Sequence, residues 1–287
     1  MNTRLSRVLR VAAVAVLLPF GCAQLPASPP PASLPGGHVA GKTEVLWLGQ
    51  SAFRITTPGG KVIVTDPWLK QNPLTPEKYK DLSALGKVDV LLVTHGHADH
   101  FADAPALAQL NDIPMYAPGD MNQTVALLGI LPARQAPRFN KSGTIEPVPG
   151  VKVTAVHAEH SNILIWKNAT TGRDEPHAAG EPVGYVVELE NGFKIYHMGD
   201  TGLFSDMKFI ADYYRPDLVL VPIGGHFTMD AMDAGFAIRE WMKPRFAIPM
   251  HYGANPLGKG RPEDFVKAVG SGATQVLQLR PGEGLVF

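Results

Sequence analysis

Three histidines and an aspartate occupy six consecutive positions in the stretch VTHGHADHF, residues 93–101. Imidazole nitrogens and carboxylate oxygens are donors that zinc and related divalent ions accept. Because side chains alternate along an extended segment, His95 and His97 should point to the same side and reach one ion at about 2.1 Å. Asp99 and His100 follow where the chain turns and should face a second position. The pattern H-x-H-x-D-H therefore predicts two adjacent metal positions.

Further potential metal donors follow other apolar runs of the chain. Strand ends that meet at one edge of a sheet are a usual place for a site in proteins that mix strands and helices. We therefore expect these side chains to lie near the first cluster. The candidates are His157 and His160 in VHAEHS, His197 and Asp200 in YHMGDTG, His226 in IGGHFTM, and His251 in IPMHYG.

The elements that must position these residues are visible as alternating patterns. The apolar run VDVLLVT, which ends at the histidine cluster, is typical of a strand buried on both faces. GYVVELE and FKIYHMG are joined by Asn191-Gly192, which indicates a hairpin. Later apolar runs, including DLVLVPIG, FAIPMHYG and TQVLQLR, alternate with the helical patterns FSDMKFIADYY, MDAGFAIREWM and PEDFVKAVG. This order predicts an α/β fold with two sheets sandwiched between helices.

The N-terminus has the features of an export signal. Three arginines precede a short apolar run, which predicts a secretory signal over residues 1–22. Cys22, the only cysteine, stands where a bacterial lipoprotein signal places its lipidated cysteine; the alternative is an ordinary cleaved signal. Residues 23–42 are rich in Pro, Ala, Ser and Gly and predict a flexible tether before a domain over 43–287. We expect a periplasmic protein tethered to the outer membrane by one lipid.

The balance of charge limits the classes of partner. Lys plus Arg and Asp plus Glu both number 26, so the net charge is zero with neutral histidines. A neutral chain has no general electrostatic attraction for nucleic acid or anionic lipid. We therefore expect a small-molecule substrate, no nucleic acid, and contact with a membrane only through Cys22.

Five stretches together resemble the metallo-β-lactamase superfamily: WLGQSAF, VTHGHADH, YHMGDTGLFSDM, PIGGHFTM and PMHYG. They are most similar to its branch of metal-dependent hydrolases related to ascorbate-6-phosphate lactonase, from about residue 43 to the C-terminus. The resemblance implies an αββα sandwich of two mixed sheets with helices outside. It also implies hydrolysis by a hydroxide held between two divalent ions, with zinc expected and manganese or iron as alternatives.

The resemblance assigns a role to each candidate donor. It favours His160 over His157, because His160 directly precedes Ser161 as the ligand of the branch does. Asp99 and Asp200 would also take part in catalysis, and His226 either donates a hydrogen bond to a developing oxyanion or is a structural loop residue. The implied set is His95, His97 and His160 for the first ion, Asp99, His100 and His251 for the second, and Asp200 as the bridge.

Four neighbouring residues have supporting interpretations. Asp66 either supports a ligand histidine or forms a turn, and His197 is expected in the core or behind a ligand. Trp166 lies in the polar stretch over residues 161–182, predicted to be a substrate loop, where it either stacks on a ligand or anchors the loop. Gln50 stands where the branch usually has histidine, and glutamine neither binds metal readily nor shuttles protons near neutral pH.

Three functions fit the sequence. The leading hypothesis is a metal-dependent hydrolase of an ester, lactone or amide bond. The alternative is a phosphodiesterase that acts on a small or lipid-like phosphodiester. A third possibility is a non-catalytic metal-binding protein of the same fold. Activity on β-lactams would rest on the similarity of fold alone.

Overall fold

The computed structural model describes residues 41–287 and the strand Ala32–Ser33. The predicted signal over 1–22, including Cys22, lies outside the described residues, as does most of the predicted tether over 23–42. Both remain predictions. Within the part of the chain that the structure describes, no helix combines the length and apolar character needed to cross a membrane.

The strands are numbered in chain order. They are β1 (Ala32–Ser33), β2 (Glu44–Gly49), β3 (Ala52–Thr56), β4 (Val62–Thr65), β5 (Val90–Leu92), β6 (Met115–Pro118), β7 (Arg138–Phe139), β8 (Thr144–Val148), β9 (Val151–His157), β10 (Ile163–Lys167), β11 (Asp174–Ala178), β12 (Val183–Glu188), β13 (Lys194–His197), β14 (Leu218–Pro222), β15 (Phe246–Met250), β16 (Gln275–Val276) and β17 (Gly284–Val286).

Short and medium helices connect the strands. They are α1 (Glu77–Lys80), α2 (Ala98–Phe101), α3 (Ala104–Asn111), α4 (Gly119–Leu127), α5 (Met207–Tyr214), α6 (Ala231–Phe236) and α7 (Pro262–Val269), with 3₁₀ turns at Leu82–Leu85 and Ala133–Gln135 and a π-helical continuation of α6 over Ala237–Met242.

The strands form two mixed sheets and a separate hairpin. The first sheet has the order β1-β17-β2-β3-β4-β5-β6-β7, and the second has the order β16-β15-β14-β13-β12-β9-β8. Strands β10 and β11 pair with each other outside both sheets. The run from β4 to β7 is parallel, as is the run from β13 to β16. The predicted α/β class is therefore confirmed.

Three apolar layers hold the sheets and helices together. The inner layer lies between the sheets and includes the fully buried Trp47, Phe53 and Tyr185. One outer layer packs α3 and α4 against the first sheet, and the other packs α5, α6 and α7 against the second. This confirms two sheets sandwiched between helices, because each sheet buries both of its faces.

Parallel strands bring the predicted donors to one edge. Each donor segment follows the carboxyl end of a strand. The histidine cluster follows β5, His160 follows β9, Asp200 follows β13, and His251 follows β15. Since β13, β14 and β15 run parallel, their carboxyl ends lie at the same edge of the second sheet.

Two local expectations differ from the structure. TQVLQLR was expected to be a terminal strand, but only Gln275–Val276 pairs in the ladder, although Leu277 and Leu279 still enter the inner core. The last strand is instead β17, whose three residues are too few to give a pattern and which pairs with β2 and β1. The Asn191-Gly192 hairpin between β12 and β13 is confirmed.

Candidate metal centre

The first group of donors contains three histidines. His95 is fully buried, and its Nε2 lies 3.0 Å from Nδ1 of His97. His160, in the segment after β9, brings its Nε2 to 3.3 Å from the same Nδ1. Atoms that bind one ion at about 2.1 Å lie about 3 Å from one another. Three ring nitrogens thus face one space with the separations of shared ligands.

The second group contains two histidines and two carboxylates. Asp99 and His100 belong to the single-turn helix α2, and Asp200 and His251 follow β13 and β15. The Nε2 atom of His251 lies 3.0 Å from Asp200 Oδ2 and 3.3 Å from Asp99 Oδ2. The Nε2 atom of His100 lies 3.3 Å from Asp200 Oδ1. Two nitrogens and two carboxylates therefore surround a second space.

Asp200 lies between the two groups. Its Oδ2 atom is 3.0 Å from His251 Nε2 in the second group and 3.7 Å from His160 Nε2 in the first. The preceding Gly199 makes this approach possible, because a Cβ on it would lie 3.0 Å from Cβ of Thr94 and 2.8 Å from the carbonyl oxygen of Val183. The structure thus brings together all seven predicted ligands, with the predicted bridge in the middle.

Asp66 orients two of the histidines from behind. Its Oδ2 atom accepts hydrogen bonds from His100 Nδ1, at 2.8 Å, and from the Thr94 hydroxyl, at 2.7 Å. Since that hydroxyl donates to Asp66, it accepts from His95 Nδ1 at 3.0 Å. Both rings thereby donate from Nδ1 and turn Nε2 towards the site. Of the two interpretations of Asp66, the contacts favour support of His100, one of the predicted ligands.

Two further histidines lie outside the donor groups, as expected. His197 is fully buried, donates from Nε2 to the carbonyl oxygen of Ser51 at 2.9 Å, and accepts at Nδ1 from the Gly199 amide. Its ring is satisfied and has no lone pair left for a ligand. His157 is partly exposed and contacts Glu159 and the ring of Phe204. It therefore faces away from the donors.

The predicted substrate loop forms a hairpin attached beside the site. Strands β10 and β11 pair over their full length. The Trp166 ring packs against Phe101 with centroids 6.0 Å apart and joins the outer core of the first sheet, so it anchors the loop. Asn162, just before β10, accepts from the Gly96 amide at 2.7 Å. The hairpin is thus fastened to the loop that carries His95 and His97.

His226 lies in the loop after β14, beside a cavity. Its side chain is exposed, its backbone has a φ of 59°, and its ring contacts Phe227. The cavity has a volume of about 470 Å³ and is also lined by Gly224 and Lys259. Gly224 lies against the site, because a Cβ on it would be 3.4 Å from His251 Nδ1. The role of His226 in the reaction remains a prediction.

The two groups differ in their protonation. Burial lowers the pKa of His95, His97 and His160, which keeps these rings neutral with free lone pairs. Burial also lowers the pKa of His251, but the Asp200 carboxylate outweighs it and raises that pKa to about 9. Burial likewise lowers the pKa of His100, but the neighbouring carboxylates, Asp200 first among them, outweigh it and raise this pKa well above its usual value. The second group therefore carries concentrated negative charge that attracts cations, whether protons or metal ions.

The donor set fits divalent metal ions. Asp200 Oδ1 and His100 Nε2 are both buried, and apart from their 3.3 Å approach to each other neither has a hydrogen-bond partner within the described part of the chain. Buried polar atoms without partners are rare in folded proteins and need an explanation. Both atoms face the second space, where a cation would accept their lone pairs. The first group, with three imidazoles, is a donor set typical of zinc.

Two features of the site were missed in the sequence. Thr94 links Asp66 to His95, and Asn162 links the cluster loop to the hairpin. Neither belongs to a ligand pattern. A backbone signal marks the same region, because Gln50, Asp66 and His251 all have positive φ values. Strained backbone of this kind concentrates at functional sites, but the sequence does not reveal it.

Comparison with known proteins identifies the family. The model of the β-lactamase superfamily domain matches residues 44–251, which is more than half of the chain. A UPF0173 metal-dependent hydrolase from Polaromonas sp. is 73% identical over 247 residues, which cover 86% of this chain and 90% of that protein. The chain belongs to the UPF0173 metal-dependent hydrolase family of the metallo-β-lactamase superfamily.

Other members of the family and one solved structure extend this likeness. A UPF0173 metal-dependent hydrolase from Cupriavidus necator is 56% identical over 291 residues, 99% of this chain and 100% of that protein. Igni18, described as a novel metallo hydrolase from Ignicoccus hospitalis, is 29% identical with a TM-score of 0.73, over 86% of this chain and 98% of that one. The chain is thus a metal-dependent hydrolase with the metallo-β-lactamase fold.

Proposed function

We propose that this hydrolase uses two divalent ions to cleave an ester, lactone or amide bond. The observation that carries the proposal is the place of Asp200, whose Oδ2 atom faces both His160 and His251. A carboxylate in that place offsets the repulsion between two neighbouring cations. His95, His97 and His160 would hold the first ion, with zinc as the preferred metal and manganese or iron as alternatives; Asp99, His100 and His251 would hold the second.

The residues of the chain have separate tasks in this reaction. Bound ions supply a hydrolytic nucleophile from water near neutral pH and polarise the bond that is cleaved. Asp99, whose side chain is 32% exposed, stands at the open side and orients the attacking water. Asp66 and Thr94 fix the rings of His100 and His95, and Asn162 fastens the hairpin of β10 and β11 beside the site. No serine or cysteine nucleophile is required.

The class of substrate follows from the motifs and the cavity. GDTGLFSD and GGHFTM are similar to stretches of hydrolases related to ascorbate-6-phosphate lactonase, which favours lactones and esters. The cavity of about 470 Å³ beside Gly224 has room for a small molecule. Gly224, which lines this cavity, also lies against His251, so we place part of the substrate there, beside the second group of donors.

The direct test is metal content together with a panel of substrates. The purified chain, reconstituted separately with Zn²⁺ and Mn²⁺, should hold close to two ions per chain by elemental analysis. It should hydrolyse lactones or aryl esters and lose that activity when a chelator removes the ions. A phosphodiester and a cephalosporin complete the panel. One ion per chain contradicts the binuclear proposal, and turnover of the phosphodiester alone favours the phosphodiesterase.

His226 should act on the reaction without holding a metal. We propose that its ring donates a hydrogen bond to the oxyanion that develops on the substrate, which is worth about 2.7–4 kcal/mol in comparable sites. His226→Ala should therefore lower kcat by about 100-fold or more and leave both ions bound. Phe227→Ala, at the adjacent exposed position, is the control for disturbance of the loop. Unchanged kcat in His226→Ala would make this histidine a structural residue.

A further inference from the structure

Gln50 places its side-chain amide inside the second group of donors. It lies in the turn between β2 and β3, and only 2% of its surface is exposed. Its Nε2 atom is 2.8 Å from Asp99 Oδ2 and 2.8 Å from His251 Nε2. Those two atoms are 3.3 Å from each other. The end of the Gln50 side chain therefore has the separations expected of atoms that share one ion.

The backbone of Gln50 is held rigidly in an unusual conformation. Its φ is 51°, a region that costs free energy for any residue with a Cβ. Its carbonyl oxygen accepts from Trp47 Nε1 at 2.9 Å and from the His251 amide at 3.1 Å. Two partners thus fix the turn against the end of β15. The strained turn aims the side chain at the donors of the second group.

The side-chain oxygen of Gln50 has no interaction that explains its burial. Oε1 of Gln50 is buried and has no hydrogen-bond partner among the residues the structure describes. A half-turn of the carboxamide exchanges Oε1 and Nε2. When a cation takes the lone pair of His251 Nε2, an N–H group in that place loses this acceptor and points a hydrogen towards the cation. A carbonyl oxygen there instead gains a partner.

We propose that the Gln50 carboxamide oxygen is a further ligand of the second ion and adapts that position to Mn²⁺. The inference rests on the binuclear function proposed above. Carboxylate and carbonyl oxygens suit harder cations, whereas an all-imidazole set suits zinc. With Gln50, the second group offers two imidazoles and three oxygen-bearing side chains, one of them the shared Asp200, whereas the first offers three imidazoles and Asp200. The two positions would therefore differ in their preferred metal.

The test measures binding of Mn²⁺ alone by the full chain, independently of turnover. The metal-free chain is first loaded with one equivalent of Zn²⁺ and then titrated with Mn²⁺, while electron paramagnetic resonance reports the free ion. Gln50→Met keeps the length of the side chain and removes the oxygen, so we expect at least about tenfold weaker Mn²⁺ binding. Gln50→Glu, which keeps an oxygen in the same place, should retain or strengthen it.

A buried glutamine far from the site provides the matched control. Gln135 is 3% exposed and donates to the carbonyl oxygens of Ala108 and Ile113. Gln135→Met should leave Mn²⁺ binding unchanged, so it reports the effect of losing a buried amide elsewhere. Gln50→His should move the preference of the second position from Mn²⁺ towards Zn²⁺, which a loss of fold would not do.

The outcomes separate this inference from the proposed function. Wild-type affinity for Mn²⁺ in Gln50→Met, with an unchanged melting temperature, overturns the inference and leaves the binuclear site intact. If Gln50→Met does not fold, weaker Mn²⁺ binding in Gln50→Glu, or an unchanged metal preference in Gln50→His, overturns it instead. If the wild-type chain binds two ions but hydrolyses no substrate, only the proposed reaction is contradicted. If the wild-type chain binds a single ion, both the proposed function and the role of Gln50 are contradicted.

Discussion

Asp200→Asn should lower kcat by at least about 100-fold, the upper end of the losses seen when groups that orient metal ligands are removed. The side chain is 3% exposed, and its two oxygens face His100, His160 and His251. Asparagine keeps the size but replaces one oxygen with an amide nitrogen and removes the charge. The repulsion between the two cations is then no longer offset, so we expect weaker binding of an ion and less activation of the attacking water.

The fold should largely survive this substitution. Strands β12 and β13, which lead to Asp200, are held by the inner core through Tyr185 and Ile195, and these contacts do not depend on the charge. The measurements are kcat, metal content and melting temperature on one preparation. Asp206→Asn, at an exposed aspartate six positions later, is the control for charge removal. Full metal content with undiminished kcat would rule out the bridge and the mechanism built on it.

The sequence predicted most of the donor set because the donors follow local rules. His95, His97, Asp99 and His100 lie within six residues after one buried strand, so their proximity needs no knowledge of the fold. Asp200 and His251 each follow an apolar strand. Parallel strands place their carboxyl ends at the same edge, and this general property was enough to predict that separate motifs meet.

The supporting residues could not be predicted because their contacts join distant parts of the chain. Asp66 allowed two interpretations until the structure showed its oxygens at His100 and Thr94, both about 30 positions away. Gln50 contacts His251 across 201 positions and between two different sheets. The turn that carries Gln50 has no metal-binding pattern of its own. Only the packing of one sheet on the other brings the two residues together.

In the fold, too, elements set by neighbouring residues could be predicted, whereas elements that depend on pairing with distant strands could not. The hairpin at Asn191-Gly192 follows from the turn residues alone, and the helix α5 ends before Pro216 as proline requires. The three residues of β17 lack a pattern, and their place in the first sheet depends on pairing with β2. The run TQVLQLR was expected to be a longer strand than it is, because the burial of alternate side chains, here Leu277 and Leu279, does not require a full ladder.

His160→Ala should release one of the two ions and lower kcat by at least about 100-fold, because a ligand matters at least as much as the groups that orient it. His160 Nε2 faces His97 Nδ1 at 3.3 Å and Asp200 Oδ2 at 3.7 Å, so its loss leaves the first group with two imidazoles. Two imidazoles and a distant carboxylate do not complete the four-coordinate site that zinc prefers.

His157→Ala is the matched control from the same short segment. Its side chain is 38% exposed and contacts Glu159 and Phe204, so removing it should change the free energy of unfolding by no more than about 0.5 kcal/mol. We expect both ions and full kcat to remain. The measurements are elemental analysis and kcat for both variants against one substrate. If the losses appear in His157→Ala and not in His160→Ala, then His157 is the third ligand of the first ion, and the segment after β9 must rearrange when metal binds.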